Sequence, residues 1–399
     1  MASQHVPSTT STQAASVIDG VRRVAGKAAE RAVEIDKLRS FPADLYDELE
    51  GTGVFESLTP QAFGGLELPL ATVNEAIIEG ARGNGSLGWL LMIGTAQPTS
   101  FGQCPEPTVI KLFKERPHVR MRSAVAPKGI AVPVEGGYRV TGQWPFTSGG
   151  PDPDFVGGNC LVMEDGEPRL GPSGLPDMMV AIMPASDVKP LDTWHVLGMR
   201  GTDSRDHAAE DVFVPEEMTV NAWTAKSVFD TPVAFVPLRV SIGTGHAAVA
   251  LGIARGALDD ITELSKTKRP SLNPMAVLSE DPCFLQTLGE HTLRFTAAKA
   301  LLDQMTADAW QCAVARDELS TPQTYIGRTM AAYITAECVK IVDWAYTAAG
   351  GSAVYEGSSL QRRLRDIHTA TQHVMVSTDG YRTLGKVLTG QQLSPMEQF

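Results

Sequence analysis

Cysteine, basic charge and long apolar runs are scarce in this chain of 399 residues. Its five cysteines, Cys104, Cys160, Cys283, Cys312 and Cys338, are scattered and odd in number, and none are spaced as CxxC. That argues against a disulfide framework or a zinc site and for reduced thiols. Lys plus Arg number 34 against 46 Asp plus Glu, a formal charge of −12. Phosphate neutralisation dominates affinity for DNA and RNA, so an acidic chain without a basic run is a poor nucleic-acid ligand. No apolar run approaches the ~20 residues that span a bilayer. The first residues lack the charged-then-apolar pattern of a signal peptide. The expectation is a cytoplasmic protein with neither a nucleic-acid nor a membrane partner.

What is present is ordinary globular material: 43% hydrophobic and 20% charged residues. A chain this long buries roughly three-quarters of its unfolded surface and needs no covalent staple. Texture divides it into a Ser/Thr/Gln-rich disordered tail (1–15), a helical domain (16–118), a β domain (119–225) and a helix bundle (226–399). In the β domain Pro and Gly punctuate short β-rich runs, among them Tyr138–Thr141, Phe155–Val156, Leu161–Met163, Met178–Met183 and Asp211–Val214. In the last region Leu285, Leu288, Phe295, Ala298 and Leu302 form a helical stripe. Asp281-Pro282 and Thr321-Pro322 each place an N-cap residue before proline. Long helices are expected at about 235–266, 282–315, 322–348 and 359–387. The fold class is therefore α+β: an N-terminal helical domain, a central antiparallel β-barrel or sandwich, and a C-terminal four-helix bundle.

Two glycine patterns carry little weight. Gly83 to Gly88 fits GxGxxG, and Gly243, Gly245 and Ala248 fit GxGxxA, but neither follows a strand of a βαβ unit. They are expected to be a helix-joining turn and a close helix contact. His368 and His373 stand five apart, roughly 140° around a helix, with no third ligand at metal spacing. Trp144-Pro145-Phe146-Thr147-Ser148-Gly149 joins aromatics to hydroxyls at a strand end. This suits either a lid on the β domain or a face for a planar conjugated ring.

Four spaced pieces resemble the acyl-CoA dehydrogenase fold superfamily over nearly the whole chain. They are Phe41-Pro42 with Pro60 and Phe63 to Gly65; Thr141 to Gly149; Gly198 to Thr202 followed by Asp211 to Pro215; and Ala349 to Gly351 followed by Leu360 to Arg362 with Arg365-Asp366. The Trp-Pro-Phe-x-Ser-Gly form, and a histidine eight residues after Arg365, are closer to the two-component (group D) flavin-dependent monooxygenases. Dehydrogenases of the superfamily need a glutamate to take the α-proton of a thioester. At its two family positions this chain has Val374 and about Ile242, neither of which accepts a proton. Tyr355-Glu356-Gly357 mimics a dehydrogenase signature but precedes the Arg-Asp pair and is expected to be a turn.

The resemblance implies the oxygenase component of a two-component flavin monooxygenase. Such a protein uses reduced flavin (FMN or FAD) and O2 through a C4a-hydroperoxide to oxygenate a small aromatic or heteroatom-containing substrate. It implies a separate NAD(P)H-dependent flavin reductase, a homotetramer and no metal. His373 and Ser148 become the catalytic candidates, with His373 facing the reaction centre and Ser148 donating toward the flavin N5 and C4a region. Trp144, Phe146, Ser148 and Trp194 would border the ring, while Arg269, with Gly350 and Gly351 from another subunit, would meet flavin phosphate. Relatives often carry a histidine where Gln97 stands; glutamine can donate a hydrogen bond but cannot titrate, so Gln97 either replaces a catalytic histidine or marks a different chemistry. The alternatives are an acyl-CoA dehydrogenase or oxidase with an unusually placed base, and a non-catalytic tetrameric relative. Pocket size depends on loops such as 103–107 and 271–280.

Overall fold

The computed structural model describes residues 8–114, 118–171, 174–221, 225–269 and 275–398. Residues 1–7 of the expected tail and 271–274 of the loop 271–280 lie outside the described residues. The first helices are α1 (Ser8–Glu30), α2 (Ala32–Leu38), α3 (Ala43–Glu50), α4 (Leu70–Gly83), α5 (Gly85–Phe101) and α6 (Glu106–Phe113). Residues 8–15 were expected to be disordered but begin α1, whose stripe Val17, Val21 and Val24 is buried in the main core. Burial of that stripe outweighs a polar, Ser/Thr-rich first turn.

The strands are β1 (Met121–Val134), β2 (Gly137–Trp144), β3 (Phe155–Glu164), β4 (Glu167–Pro168), β5 (Met178–Pro184), β6 (Lys189–Pro190), β7 (His207–Pro215) and β8 (Thr219–Asn221). They form one sheet in the order β6-β7-β2-β1-β3-β5-β8, with β4 on β3. All pairs are antiparallel except β1 with β3, which run parallel. The sheet is thus mixed and open rather than a closed antiparallel barrel. Its edges end in strands of two and three residues, and Pro190 has no N–H to extend the ladder.

The bundle comprises α7 (Leu238–Ser265), α8 (Pro282–Ala315), α9 (Thr321–Ala349), α10 (Ser359–Ala370) and α11 (Asp379–Leu388), followed by the short α12 (Pro395–Gln398). Asp281 caps α8 as expected, accepting from Phe284 N at 2.7 Å. The cap of α9 is Ser320, one residue earlier than expected, in a capping box with Gln323. The expected fourth helix, 359–387, is two helices: α10 stops at Ala370, and His373 caps a 3-10 turn before α11. Helix α7 is buried nearly all round, as the central helix of a bundle must be. Its glycines allow close approach; a Cβ on Gly252 would lie 2.4 Å from the Ile78 carbonyl. Asn84 joins α4 to α5, its side chain accepting from Ser86 N at 2.9 Å.

The segment Gly198–Thr202 fastens the sheet to both helical parts. Met199 N donates to buried Asp366 on α10 at 2.6 Å, and Gly201 N donates to Ser86 Oγ on α5 at 3.1 Å. A Cβ on Gly198 would meet the Arg365 carbonyl at 2.2 Å, so only glycine fits there. Among the described residues no helix is long and apolar enough to cross a membrane.

Candidate active site

At the end of β2 the backbone turns outward. Phe146 takes φ +59° and leaves 68% of its surface exposed. Its ring meets Trp194 edge-on at 6.3 Å. Two residues on, Ser148 pairs its backbone with Ser123 in both directions, at 3.0 and 3.1 Å, which aims the hydroxyl at α5. There Trp89 Nε1 donates to Ser148 Oγ at 3.1 Å.

A row of hydroxyls continues inward. Ser148 Oγ lies 2.7 Å from Ser204 Oγ, Ser204 Oγ lies 2.8 Å from Thr202 Oγ1, and Thr202 Oγ1 donates to the Met199 carbonyl at 2.9 Å. The loop bearing this row is held in an unfavourable backbone. Met199 and Asp203 are left-handed at φ +54° and +48°. Buried Arg122 offsets that strain by donating to the Asp203 carbonyl at 2.6 Å, Asp203 Oδ2 at 3.0 Å and the Gly150 carbonyl at 3.0 Å. One guanidinium thereby ties the Ser148 loop to the Ser204 loop. Between them Thr147 Oγ1 donates to the Arg205 carbonyl and contacts His207 Nδ1.

Trp89 is also the meeting point of two histidines. Its ring is edge-on to His246 of α7 at 5.7 Å and to His373 at 5.4 Å. The two imidazoles stack on each other, centroids 5.4 Å apart and planes 27° apart. His246 is fully buried; its Nε2 donates to the Ala370 carbonyl at 3.1 Å and its Nδ1 accepts from Thr335 Oγ1 at 3.4 Å. A carbonyl can only accept, so the neutral ring carries its proton on Nε2. Burial, followed by the charge His373 could carry, pulls the His246 pKa down to about 3. Burial lowers that of His373 to about 4. His373 Nδ1 accepts from Met375 N at 3.3 Å, so neutral His373 also carries its proton on Nε2, as a donor. His246 and His373 thus form a stacked pair of neutral imidazoles, to which Gln97 does not belong. The sequence reading missed His246, Trp89 and Ser204. The available signal for His246 was a lone titratable residue in the most apolar stretch of α7.

Several expected site residues stand elsewhere. Trp144 has no exposed surface; it is sealed in the β-domain core with Nε1 donating to the Asn159 carbonyl at 2.7 Å. It borders no ring site, because a strand alternates its faces and Trp144 shares the inward face of Val140. Gln97 is buried and clasps the start of β1, accepting from Met121 N at 3.1 Å and donating to the Met121 carbonyl. Arg365 is structural, with Nη2 on Asp36 at 2.6 Å. Val374 is exposed, Ile242 is half-buried, and Glu356 sits in an exposed turn. His368 pairs with Asp343 at 2.8 Å, away from His373.

Arg269 donates to the Met275 carbonyl at 3.1 Å. Next to it, Lys268 Nζ donates to Ser352 Oγ at 2.8 Å, which places exposed Gly350 and Gly351 at the same end of the bundle of one chain. Roughly 28 Å of α7 separates His246 from Ser265, four residues before Arg269. Arg269 and the two glycines thus lie past the end of α7 that is remote from His246.

These residues fit a flavin. The outward Phe146 beside Trp194 offers a flat apolar flank. Ser148 offers a polar atom at its edge, and the Arg269 guanidinium, one residue from Lys268, is of the type that binds phosphate. Among the described residues no three Cys, His, Asp or Glu side chains group as a metal site.

Residues 244–378 match the family model for the C-terminal domain of acyl-CoA dehydrogenases. An indole-3-acetate monooxygenase of Pseudomonas putida is 28% identical over 380 residues, covering 95% of this chain and 94% of its own. The oxygenase subunit HsaA of a flavin-dependent monooxygenase from Rhodococcus jostii is 27% identical over 351 residues, covering 86% and 90%. The crystal structure of a 3-HSA hydroxylase from a Rhodococcus species superposes with a TM-score of 0.88 at 25% identity, covering 96% of this chain and 99% of that one.

Proposed function

We propose that this chain, a flavin-dependent monooxygenase built on the acyl-CoA dehydrogenase fold, is the oxygenase that receives reduced flavin from a separate NAD(P)H-dependent reductase and oxygenates a small aromatic substrate. The observation that carries this is the convergence of His373 and Ser148 on Trp89. At the two positions where the resemblance puts a dehydrogenase's glutamate base, Val374 and about Ile242, neither side chain can take a proton from carbon.

Reduced flavin, when bound, supplies the two electrons with which O2 delivers one oxygen atom to the substrate and leaves the other as water. The residues of the chain then have three tasks. Phe146 and Trp194 flank the ring, and Ser148 meets its polar edge. His373, neutral and carrying Nε2–H, donates a hydrogen bond to developing negative charge rather than acting as the base for a phenol. The half-buried Trp89 ring, packed edge-on against His246 and His373, limits water, which would divert the reaction to peroxide. Lys268, Arg269, Gly350 and Gly351 of another copy meet the phosphate. Exposed Leu285, Leu293, Tyr333, Tyr381 and Leu388 on the bundle support association of such copies, which the family resemblance makes a homotetramer.

Incubation with reduced FMN or FAD, 18O2 and a panel of phenols and indoles tests this. One labelled oxygen atom in a product is the expected result. Bleaching of tightly bound oxidised FAD by an acyl-CoA, with no label incorporated, would instead establish a dehydrogenase.

A further inference from the structure

We infer that the hydroxyl row Ser148–Ser204–Thr202 is polarised so that Ser148 meets its ligand as an acceptor, and that Ser204 and Thr202 thereby select reduced over oxidised flavin. The inference rests on the monooxygenase reading above and deepens it.

The direction of every proton in the row follows from its two ends. The Met199 carbonyl only accepts, so the Thr202 hydroxyl spends its one proton there, at 2.9 Å. The 2.8 Å contact between Thr202 and Ser204 must then use the proton of Ser204. The 2.7 Å contact between Ser204 and Ser148 must in turn use the proton of Ser148. At the outer end the Trp89 indole only donates, so its 3.1 Å bond fills one lone pair of Ser148. Ser148 is left with one lone pair and no proton to offer. Such a chain is cooperative, each bond polarising the next, so reversing it means breaking several bonds at once.

The flavin N5 changes character with redox state. Oxidised, it is a bare acceptor; reduced, it carries N5–H and donates. An acceptor-only Ser148 matches the reduced form and sets a lone pair against a lone pair in the oxidised form. Ser148 is thus expected to accept from N5, the opposite of the donation that the family resemblance implies. Ser204 and Thr202 are positioning residues: they act only by holding the Ser148 proton.

The test is binding, not turnover. Dissociation constants of oxidised and dithionite-reduced FMN and FAD are measured anaerobically for the full-length wild type, Ser204→Ala, Thr202→Val and Thr202→Ser. The wild type should prefer the reduced form. Ser204→Ala removes the acceptor of the Ser148 proton, and Thr202→Val frees the Ser204 proton to turn toward Ser148; either way Ser148 can donate outward, so the oxidised-to-reduced Kd ratio should fall at least tenfold, while Thr202→Ser keeps it. Tenfold corresponds to about 30 mV in the midpoint potential of the bound two-electron couple, an independent readout. A ratio within twofold of wild type in both Ser204→Ala and Thr202→Val would overturn the relay but leave the enzyme assignment standing. A wild type that binds neither redox state would overturn both.

Discussion

His246 and His373 stack 5.4 Å apart, and His246 also holds the carbonyl of Ala370, three residues before His373. The buried imidazole therefore backs that of His373 and holds the last residue of α10. His246→Ala should cost about 2–4 kcal/mol in urea unfolding, through a cavity and lost hydrogen bonds. His246→Phe keeps the stack but loses both bonds. Both variants should raise the share of consumed O2 that ends as peroxide; coupling equal to wild type in the two would remove His246 from this role.

His373 is neutral over the working range, because burial lowers its pKa to about 4. Product formation should stay level from about pH 8 to about 5 and fall below, with no step at the ~6.5 of a solvated imidazole. The sign for stability is the same. A histidine with a depressed folded pKa contributes stability that is complete above its unfolded value near ~6.5 and is lost as pH falls through about 4. His373→Ala should lose at least tenfold in product while flavin still binds, read by product yield against flavin titration.

Asp366 runs the other way. Burial raises its pKa to about 6, against the partial opposition of the Met199 N–H. Its contribution is complete below the unfolded value of ~3.9 and is lost as pH rises through about 6, a swing of up to about 3 kcal/mol. Asp366→Asn keeps an acceptor for Met199 and should flatten that segment of the stability–pH curve. Unfolding midpoints at pH values on either side of the window check this.

Ser148→Ala strips the Trp89 N–H of its acceptor in a half-buried place, at a cost of about 1–3 kcal/mol. Stopped-flow mixing of the reduced-flavin complex with O2 should show faster peroxide release than wild type. An unchanged rate would mean that Ser148 does not stabilise the oxygenating state.

Much of this was legible in the chain. Phe146, Ser148 and Trp194 were marked by one aromatic–hydroxyl run and one tryptophan, and the structure sets Phe146 and Ser148 just past the end of β2, with the Phe146 ring against Trp194. Trp144 was misplaced although its parity with Val140 and Gly142 already put it on the inward face. Gln97 looked like a substituted catalyst, and only the fold shows it bonded to both backbone groups of Met121. His246 and Ser204 could not be assigned roles from local pattern. Their partners Ala370 and Ser148 lie 124 and 56 positions away, contacts that only tertiary packing creates. The open sheet was hidden for the same reason: strand-like runs do not state that β3 returns parallel to β1.

The Gly198–Thr202 fastening limits how this enzyme can admit a guest. With Met199 bonded to α10 and Gly201 to α5, the sheet is pinned to both sets of helices at this point. Entry and exit must be left to side-chain rotation and short surface segments, and the amides of Met199 and Gly201 should be among the last to exchange with deuterium while turnover continues around them.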